Sequence, residues 1–154
     1  MAELGAITER EIALIGRFIE RLKEEQEALC RADPEPLAAI GAAKIALVDE
    51  LNALEQERRA LLGVGSEQKT RAAMNDWLAA NPGQKLAAMN WQKLLELAQE
   101  AKTLHGLNAG LIAVHLQQTG DALHALDSRR AADALYGNDG QATPTSGSRL
   151  VDSA

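Results

Sequence analysis

Apolar residues at the start of the chain repeat at alternating steps of three and four residues, the period of helices that pack along a narrow seam. The members of this seam are Ile12, Ile15, Ile19, Leu22, Gln26 and Leu29. The seam stops before Asp33-Pro34-Glu35-Pro36, because a proline cannot donate a backbone hydrogen bond and disfavours helical geometry in the preceding residue. The pattern predicts a helix over about 7–32.

A second seam keeps the same alternation without a break. Its members are Leu37, Ile40, Lys44, Leu47, Leu51, Leu54, Arg58 and Leu61. Gly63 and Gly65 follow, and glycine favours the conformation that ends a helix. We predict a helix over about 36–62, which would be about 40 Å long at 1.5 Å per residue. Because a short link joins these two long helices, they should form an antiparallel hairpin.

Two positions of the second seam hold cations, Lys44 and Arg58. In an antiparallel hairpin, Lys44 should lie opposite Glu24–Glu25, and Arg58 should lie near Glu9 and Glu11. One interpretation is that the long side chains cover apolar surface while their charges reach water and form loose ion pairs. The other is that the cations fix the register of the helices. We favour the first, because two-helix seams are seldom dry.

The chain after the hairpin predicts one short helix and one long helical pattern. The short helix is expected over about 67–80, folded back as a lid over one end of the bundle. The turn signal Asn81-Pro82-Gly83 follows it, and a helical pattern then covers 84–134. The apolar stripe in the first half of that pattern comprises Leu94, Leu97, Ala101, Leu104, Asn108 and Leu111.

A second stripe is displaced by one position, which rotates the apolar face of the helix locally. It comprises Ile112, Leu116, Thr119, Leu123 and Leu126. Gly106, Gly110 and Gly120 lie in or next to the shift, and each costs about 0.5–1 kcal/mol relative to alanine inside a helix. We therefore expect this half to be bent, frayed or dependent on a partner. Gly106 and Gly110 also match GxxxG, for which close helix packing or a kink is expected.

The sequence after Tyr136 consists mainly of small polar residues, three of the first eleven being glycine. Such a segment buries too little apolar surface to offset its ordering entropy, so 137–154 is expected to be a flexible tail. The predicted fold class is therefore all-α. We expect an elongated antiparallel helical bundle or coiled-coil hairpin within 1–136, with a long third helix and a disordered C-terminal tail.

Composition narrows the class of protein. The chain has 154 residues, a formal net charge of −6 and only 3% aromatic residues. The acidic balance argues against nucleic acid, since phosphate binding requires clustered Lys and Arg. Membrane insertion is not expected, because no apolar run approaches the roughly 20 residues that span a bilayer. The first ten residues carry no apolar signal region, so we expect a cytoplasmic protein.

Residues that could carry chemistry are few. Cys30 is the only cysteine, and we interpret it as a buried structural thiol. His105, His115 and His124 are spaced ten and nine residues apart, so they point to different faces of a helix and make a metal site improbable. Phosphate-binding and nucleophile motifs are missing from the sequence. We expect no enzyme activity, no metal and no cofactor.

The stretch from Leu111 to Leu126 is amphipathic. An apolar helix face without an intramolecular partner is typical of helix-on-helix recognition. The alternative, to which we give about equal weight, is that this face completes the chain's own bundle.

The residues of both halves, in this order, resemble the FlgN family of flagellar type III export chaperones. The first half carries Leu22-x-x-Glu25-x-x-x-Leu29, Asp33, Leu37, Lys44, Leu47, Leu51, Leu54, Arg58 and Leu61-Leu62. The second half carries Leu104, Asn108, Leu111-Ile112, Leu123 and Leu126, and closes with Leu135-Tyr136-Gly137-Asn138-Asp139-Gly140-Gln141 ahead of a polar tail. The resemblance covers nearly the whole chain.

The resemblance implies a cytoplasmic chaperone for the hook–filament junction proteins FlgK and FlgL. It would hold the C-terminal helical region of the client unassembled and deliver it to the export gate protein FlhA. By similarity, the client-binding residues are Leu111, Ile112, Leu116, Leu123 and Leu126. Tyr136 and Gly137 would dock at the export gate.

Two other classes share parts of this pattern. A chaperone or adaptor for another secreted helical client would differ only in its partner. A structural coiled-coil adaptor or scaffold would also carry the heptads, but it should self-associate tightly through the two long helices.

Overall fold

A computed structural model describes residues 2–65 and 69–136, with side chains over 3–65 and 69–130. The described residues form four helices and no strand, which confirms the predicted all-α class. The helices are α1 (Ala2–Cys30), α2 (Leu37–Leu62), α3 (Thr70–Ala80) and α4 (Lys85–Tyr136). The chain divides after Asn108 into two units. Unit 1 contains α1, α2, α3 and the first part of α4, and unit 2 contains the remainder of α4.

The hairpin of α1 and α2 is antiparallel. Glu11, early in α1, lies beside Arg58, late in α2, with 2.9 Å between the carboxylate Oε1 and the Arg58 Nε. Glu25, late in α1, lies 2.7 Å from the Nζ of Lys44. These two pairs connect opposite ends of the two helices, as the seam pattern predicts.

The first part of α4 runs parallel to α1. Asn90 Nδ2 lies 3.3 Å from the Thr8 hydroxyl oxygen, and Asn108 Nδ2 lies 2.9 Å from the Leu22 backbone oxygen. Early residues of α4 therefore meet early residues of α1, and later residues meet later ones. Unit 1 is a three-helix arrangement to which α3 adds the buried Met74.

The core of unit 1 is aliphatic with a single tryptophan. Its buried members are Leu4, Ile15, Ile19, Leu22, Met74, Trp91, Leu94 and Ala101. The first stripe of α4 enters this core as expected: Leu94, Ala101 and Asn108 are buried, while Leu97 and Leu104 are half-buried. The helix seams are thus positioned by the three-four alternation of the sequence.

Helix α1 begins at Ala2, about five residues before the predicted start. Leu4, Ile7 and Thr8 are all buried and extend the seam toward the N-terminus. The Thr8 hydroxyl lies 2.9 Å from the backbone oxygens of both Leu4 and Gly5, so its burial leaves no unpaired polar group. Because Thr8 is polar, the apolar pattern of the sequence does not extend the predicted helix to this first turn.

The expected burial of Cys30 is wrong, because the residue is exposed. Cys30 is the last residue of α1, and the two residues before it, Ala28 and Leu29, are buried instead. A helix turns about 100° per residue, so these neighbours occupy the inward direction and leave Cys30 outside.

Close packing at Gly106 and Gly110 is also wrong for the described residues. A Cβ added at either position would meet nothing within 4 Å. Both glycines lie on the side of α4 opposite the stripe that contains Leu104 and Asn108, since successive residues are rotated by about 100°. The GxxxG spacing here marks an exposed helix surface, and α4 remains α-helical through it.

Each helix of the hairpin is followed at its C-terminus by a left-handed residue, but only one of the two is glycine. Ala32, with φ of 52°, lies two residues after the end of α1, and Gly63, with φ of 67°, directly follows α2. At each end the left-handed residue and its successor donate backbone hydrogen bonds to the last helical turn, which is the Schellman arrangement. An alanine in this conformation is strained because its Cβ approaches the backbone.

We predict opposite effects of exchanging alanine and glycine at these two positions. Ala32→Gly should stabilise the protein by about 0.5–1 kcal/mol, because relief of left-handed strain exceeds the entropy that glycine adds to the unfolded chain. Gly63→Ala should destabilise by a similar amount, and no neighbour obstructs the new Cβ. Urea unfolding of both variants measures the change. A change in the free energy of unfolding with the same sign for both variants would contradict the left-handed strain assigned to Ala32.

Candidate partner-binding face and two polar clusters

Three residues from three helices form a polar cluster in unit 1, here called the Glu25 cluster: Glu25, Lys44 and Asn108. Glu25 accepts from Lys44 Nζ at 2.7 Å through Oε2 and from Asn108 Nδ2 at 2.9 Å through Oε1. The second amide hydrogen of Asn108 goes to the backbone oxygen of Leu22. Asn108 is only 1% exposed, so its donors are used entirely inside the protein.

A second set, here called the Arg58 cluster, consists of Glu11, Arg58 and Trp91. Arg58 Nε donates to Glu11 Oε1 at 2.9 Å, and the guanidinium carbon lies 4.9 Å from the centroid of the Trp91 ring. The Trp91 indole NH lies 3.3 Å from Asn75 Oδ1 of α3. A desolvated cation over a tryptophan face contributes on the order of 2 kcal/mol. The cluster therefore joins α1, α2 and α4 and reaches α3.

The two clusters confirm the predicted partners of the seam cations and correct the favoured interpretation of them. Arg58 and Glu11 are only 6% and 3% exposed, so this pair is buried instead of reaching water. The Lys44 side chain keeps 17% exposure and lies closer to the expected snorkelling position. The difference follows from Trp91, which covers Arg58 and excludes solvent.

Burial of the Glu11 carboxyl raises its pKa above the ordinary value for glutamate. Desolvation is the largest cause, because it penalises the ionised form. Arg58 opposes it through its charge and hydrogen bond, and the nearby Glu55 carboxylate adds a smaller upward contribution. The ion pair thus compensates only part of the penalty for burying the charge.

The predicted client-binding residues lie on α4 within unit 2. Leu111 is half-buried, and the other four are exposed large apolar side chains: Ile112 at 41%, Leu116 at 66%, Leu123 at 51% and Leu126 at 50%. The spacing of Ile112, Leu116, Leu123 and Leu126 places these four on one face, since positions 3, 4, 7 and 11 residues apart return to the same side of a helix, whereas Leu111 is rotated by about 100° from Ile112. The four exposed residues belong to the second stripe, which extends over about 21 Å from Ile112 to Leu126.

The middle of the second stripe is polar but locally satisfied. Thr119 donates its hydroxyl to the backbone oxygen of His115 at 2.9 Å, the bond by which a threonine inside a helix pairs its hydroxyl with the preceding turn. The threonine methyl then remains to continue the apolar surface between Leu116 and Leu123. The stripe can accept apolar side chains of a partner helix along its whole length.

The structure also exposes apolar residues that the stripe pattern does not include. Leu107 and Val114 are 54% and 50% exposed on α4. Val114 lies nearly opposite the middle of the second stripe when each residue is rotated by about 100°. A search for three-four spacing omits such isolated residues, and single exposed apolar side chains are ordinary features of protein surfaces.

The predicted export-gate residues fall at the limit of the described chain. Tyr136 is the last residue of α4, and Gly137 and the expected tail over 137–154 lie outside the described residues. Over the residues with described placement, no group of three or more His, Cys, Asp or Glu side chains is arranged to hold a metal ion. None of the described helices is long and apolar enough to cross a membrane.

These features define a class of all-α protein. Its helical hairpin is packed with buried polar clusters, and its longest helix carries an exposed apolar stripe. A family model described as FlgN protein matches residues 1–144 of the chain. The chain therefore belongs to the FlgN family, which supports a role as a flagellar export chaperone and is not a known enzyme family. Searches of curated proteins and of solved structures gave no significant match.

The raised pKa of Glu11 gives a pH-dependent prediction. The folded state holds the Glu11 proton more tightly than the unfolded chain, so its contribution to stability is complete at low pH and is lost as pH rises through the raised pKa. Relative to Glu11→Gln, which cannot titrate, the wild type should therefore lose stability as pH rises from the ordinary glutamate pKa through the raised one. Urea unfolding at several pH values measures the difference. A gap that widens in favour of wild type with rising pH would show a lowered pKa.

Proposed function

We propose that the protein is a cytoplasmic export chaperone for the hook-associated proteins FlgK and FlgL. It binds their C-terminal helical region, prevents premature assembly and delivers them to the flagellar type III export gate through FlhA. Membership of the FlgN family supports the general role. The single observation that supports the binding site is the second stripe, whose large apolar side chains are exposed along one face of α4.

The size of the second stripe favours reversible binding. Burying a leucine or isoleucine completely contributes about 1.5–3 kcal/mol, so four half-exposed side chains offer on the order of 3–6 kcal/mol. Micromolar binding requires about 8 kcal/mol after the losses of association. The client helix must therefore cover the flanks of the stripe as well, and the affinity should be moderate.

The proposed mechanism is physical and uses no covalent chemistry. A client that polymerises through terminal helices stays soluble when the chaperone covers the apolar faces that drive polymerisation. Release needs no nucleotide, because competition for the chaperone or the client at the export gate shifts a moderate equilibrium. Tyr136, at the end of α4, is proposed as the docking residue for the gate, together with Gly137.

A double substitution in the second stripe tests the proposed client site. Leu123→Asp with Leu126→Asp should weaken binding of the purified C-terminal helical segment of the cognate FlgK about a hundredfold or more, because two carboxylates would be buried without partners. Calorimetric titration measures affinity, and circular dichroism checks that the helices persist. Both residues are half-exposed, so unit 1 should stay folded.

The matched control places the same two charges on the opposite side of the same helix. Gln117 and Ser128 are exposed and lie about 140–160° from the middle of the second stripe, so Gln117→Asp with Ser128→Asp should bind the client like wild type. Unchanged binding by the stripe variant would place the site elsewhere. Tight self-association with no client binding would favour a coiled-coil scaffold.

Tyr136 is tested by separating client binding from export. Tyr136→Ala should leave the affinity for the FlgK segment within about twofold of wild type and reduce both FlgK export and binding to the cytoplasmic domain of FlhA. Large aromatic side chains supply much of the binding energy at such contacts. Tyr136→Phe keeps the ring and shows whether the hydroxyl is needed. Loss of client binding in Tyr136→Ala would assign the residue to the client face.

A further inference from the structure

The hairpin of unit 1 presents a groove that α4 fills with its first stripe. Most seam positions there are aliphatic, as Ile15, Ile19 and Leu94 show. The second stripe of α4 is aliphatic too. Apolar packing alone discriminates poorly between such similar helix faces, because it is non-directional. The hairpin therefore needs another feature to select the first stripe over the second stripe of another molecule.

The Glu25 cluster supplies that feature. The hairpin side offers two acceptors to α4, Glu25 Oε1 and the Leu22 backbone oxygen, and Asn108 Nδ2 donates to both at 2.9 Å. The Leu22 oxygen lies inside α1 and also accepts a helical backbone bond, so Glu25 Oε1 is the acceptor that depends on Asn108. Leu22 is completely buried and Glu25 nearly so, so water cannot replace the amide while a helix covers the groove. A buried acceptor that loses its donor is strongly destabilising.

The second stripe has no side chain that could replace Asn108. Its only polar member is Thr119, whose single hydroxyl hydrogen is already donated to His115 within the helix. If the second stripe of another copy lay in the groove, Glu25 Oε1 would lose its donor. Specificity is a difference between two affinities, and a penalty on the wrong partner creates it.

We propose that Asn108 is a specificity-determining residue that prevents the hairpin of one molecule from binding the second stripe of another copy. The exclusion requires only that the stripe is apolar and exposed; its description as the client face rests on the proposed function. A single polar residue in an apolar seam sets register and partner choice in coiled coils in the same way. The chaperone thereby avoids acting as its own client.

The direct test is Asn108→Leu in the full chain. This substitution removes the donor from the first stripe, so neither the first nor the second stripe can then donate to Glu25 Oε1. We expect self-association at least tenfold tighter than wild type, measured by light scattering and sedimentation over a concentration series. Adding Leu123→Asp with Leu126→Asp should return the mass to the wild-type value, which a general loss of stability would not do.

Two further variants keep the test decisive. If Asn108→Leu fails to fold, the triple variant Asn108→Leu, Glu25→Leu, Lys44→Leu removes the unpaired buried groups as well and should be folded and self-associating. The matched control Glu20→Leu, Asn52→Leu, Glu100→Leu adds leucines at exposed positions of the same three helices. Any self-association of this control should not be reversed by Leu123→Asp with Leu126→Asp.

The proposal is overturned if the folded Asn108→Leu or triple variant keeps the wild-type mass at every concentration. It is also overturned if the added aspartates leave the association unchanged. Client binding, measured separately with the FlgK segment, distinguishes this result from failure of the proposed function. A variant that self-associates but never binds client supports the exclusion and contradicts the chaperone site.

Discussion

The buried contact between Glu25 and Asn108 is the constraint on which the arrangement of unit 1 depends. The aliphatic seam supplies most of the driving force for packing, but it would accept several registers of similar energy. The Glu25 and Arg58 clusters lie two heptads apart along the hairpin, and each is completed by a residue of α4. Sliding α4 by one turn would break both contacts. The polar residues therefore fix the register of the helices, and the apolar residues stabilise their packing.

Much of this fold could be predicted from the sequence because heptad spacing and prolines act locally. The alternation through Leu37 and Leu61 and the break at Asp33-Pro34-Glu35-Pro36 predict α1, α2 and their antiparallel pairing. The partners of Lys44 and Arg58 followed from the hinge position alone. The exposure of Cys30 and the contact of Trp91 with Arg58 could not be predicted, because each depends on the rotation of a helix against a neighbour that is distant in sequence.

The candidate site likewise has a part that the sequence predicts and a part that it does not. Three-four spacing identifies the second stripe, and its large apolar side chains are exposed. Spacing could not show that Asn108 donates to two acceptors on α1, since a polar residue in an apolar stripe has the same appearance whether it is paired or solvated.

Hydrogen–deuterium exchange of the full chain, with and without the FlgK C-terminal segment, tests the central claim most directly. Exchange reports local opening of each helix separately. The account predicts that saturating client slows exchange in α4 from Leu111 to Leu126 and leaves α1 and α2 within unit 1 unchanged. Protection that appears in α1 and α2 instead, with exchange in Leu111–Leu126 unaltered, would contradict the division between a closed bundle and an open client-binding face.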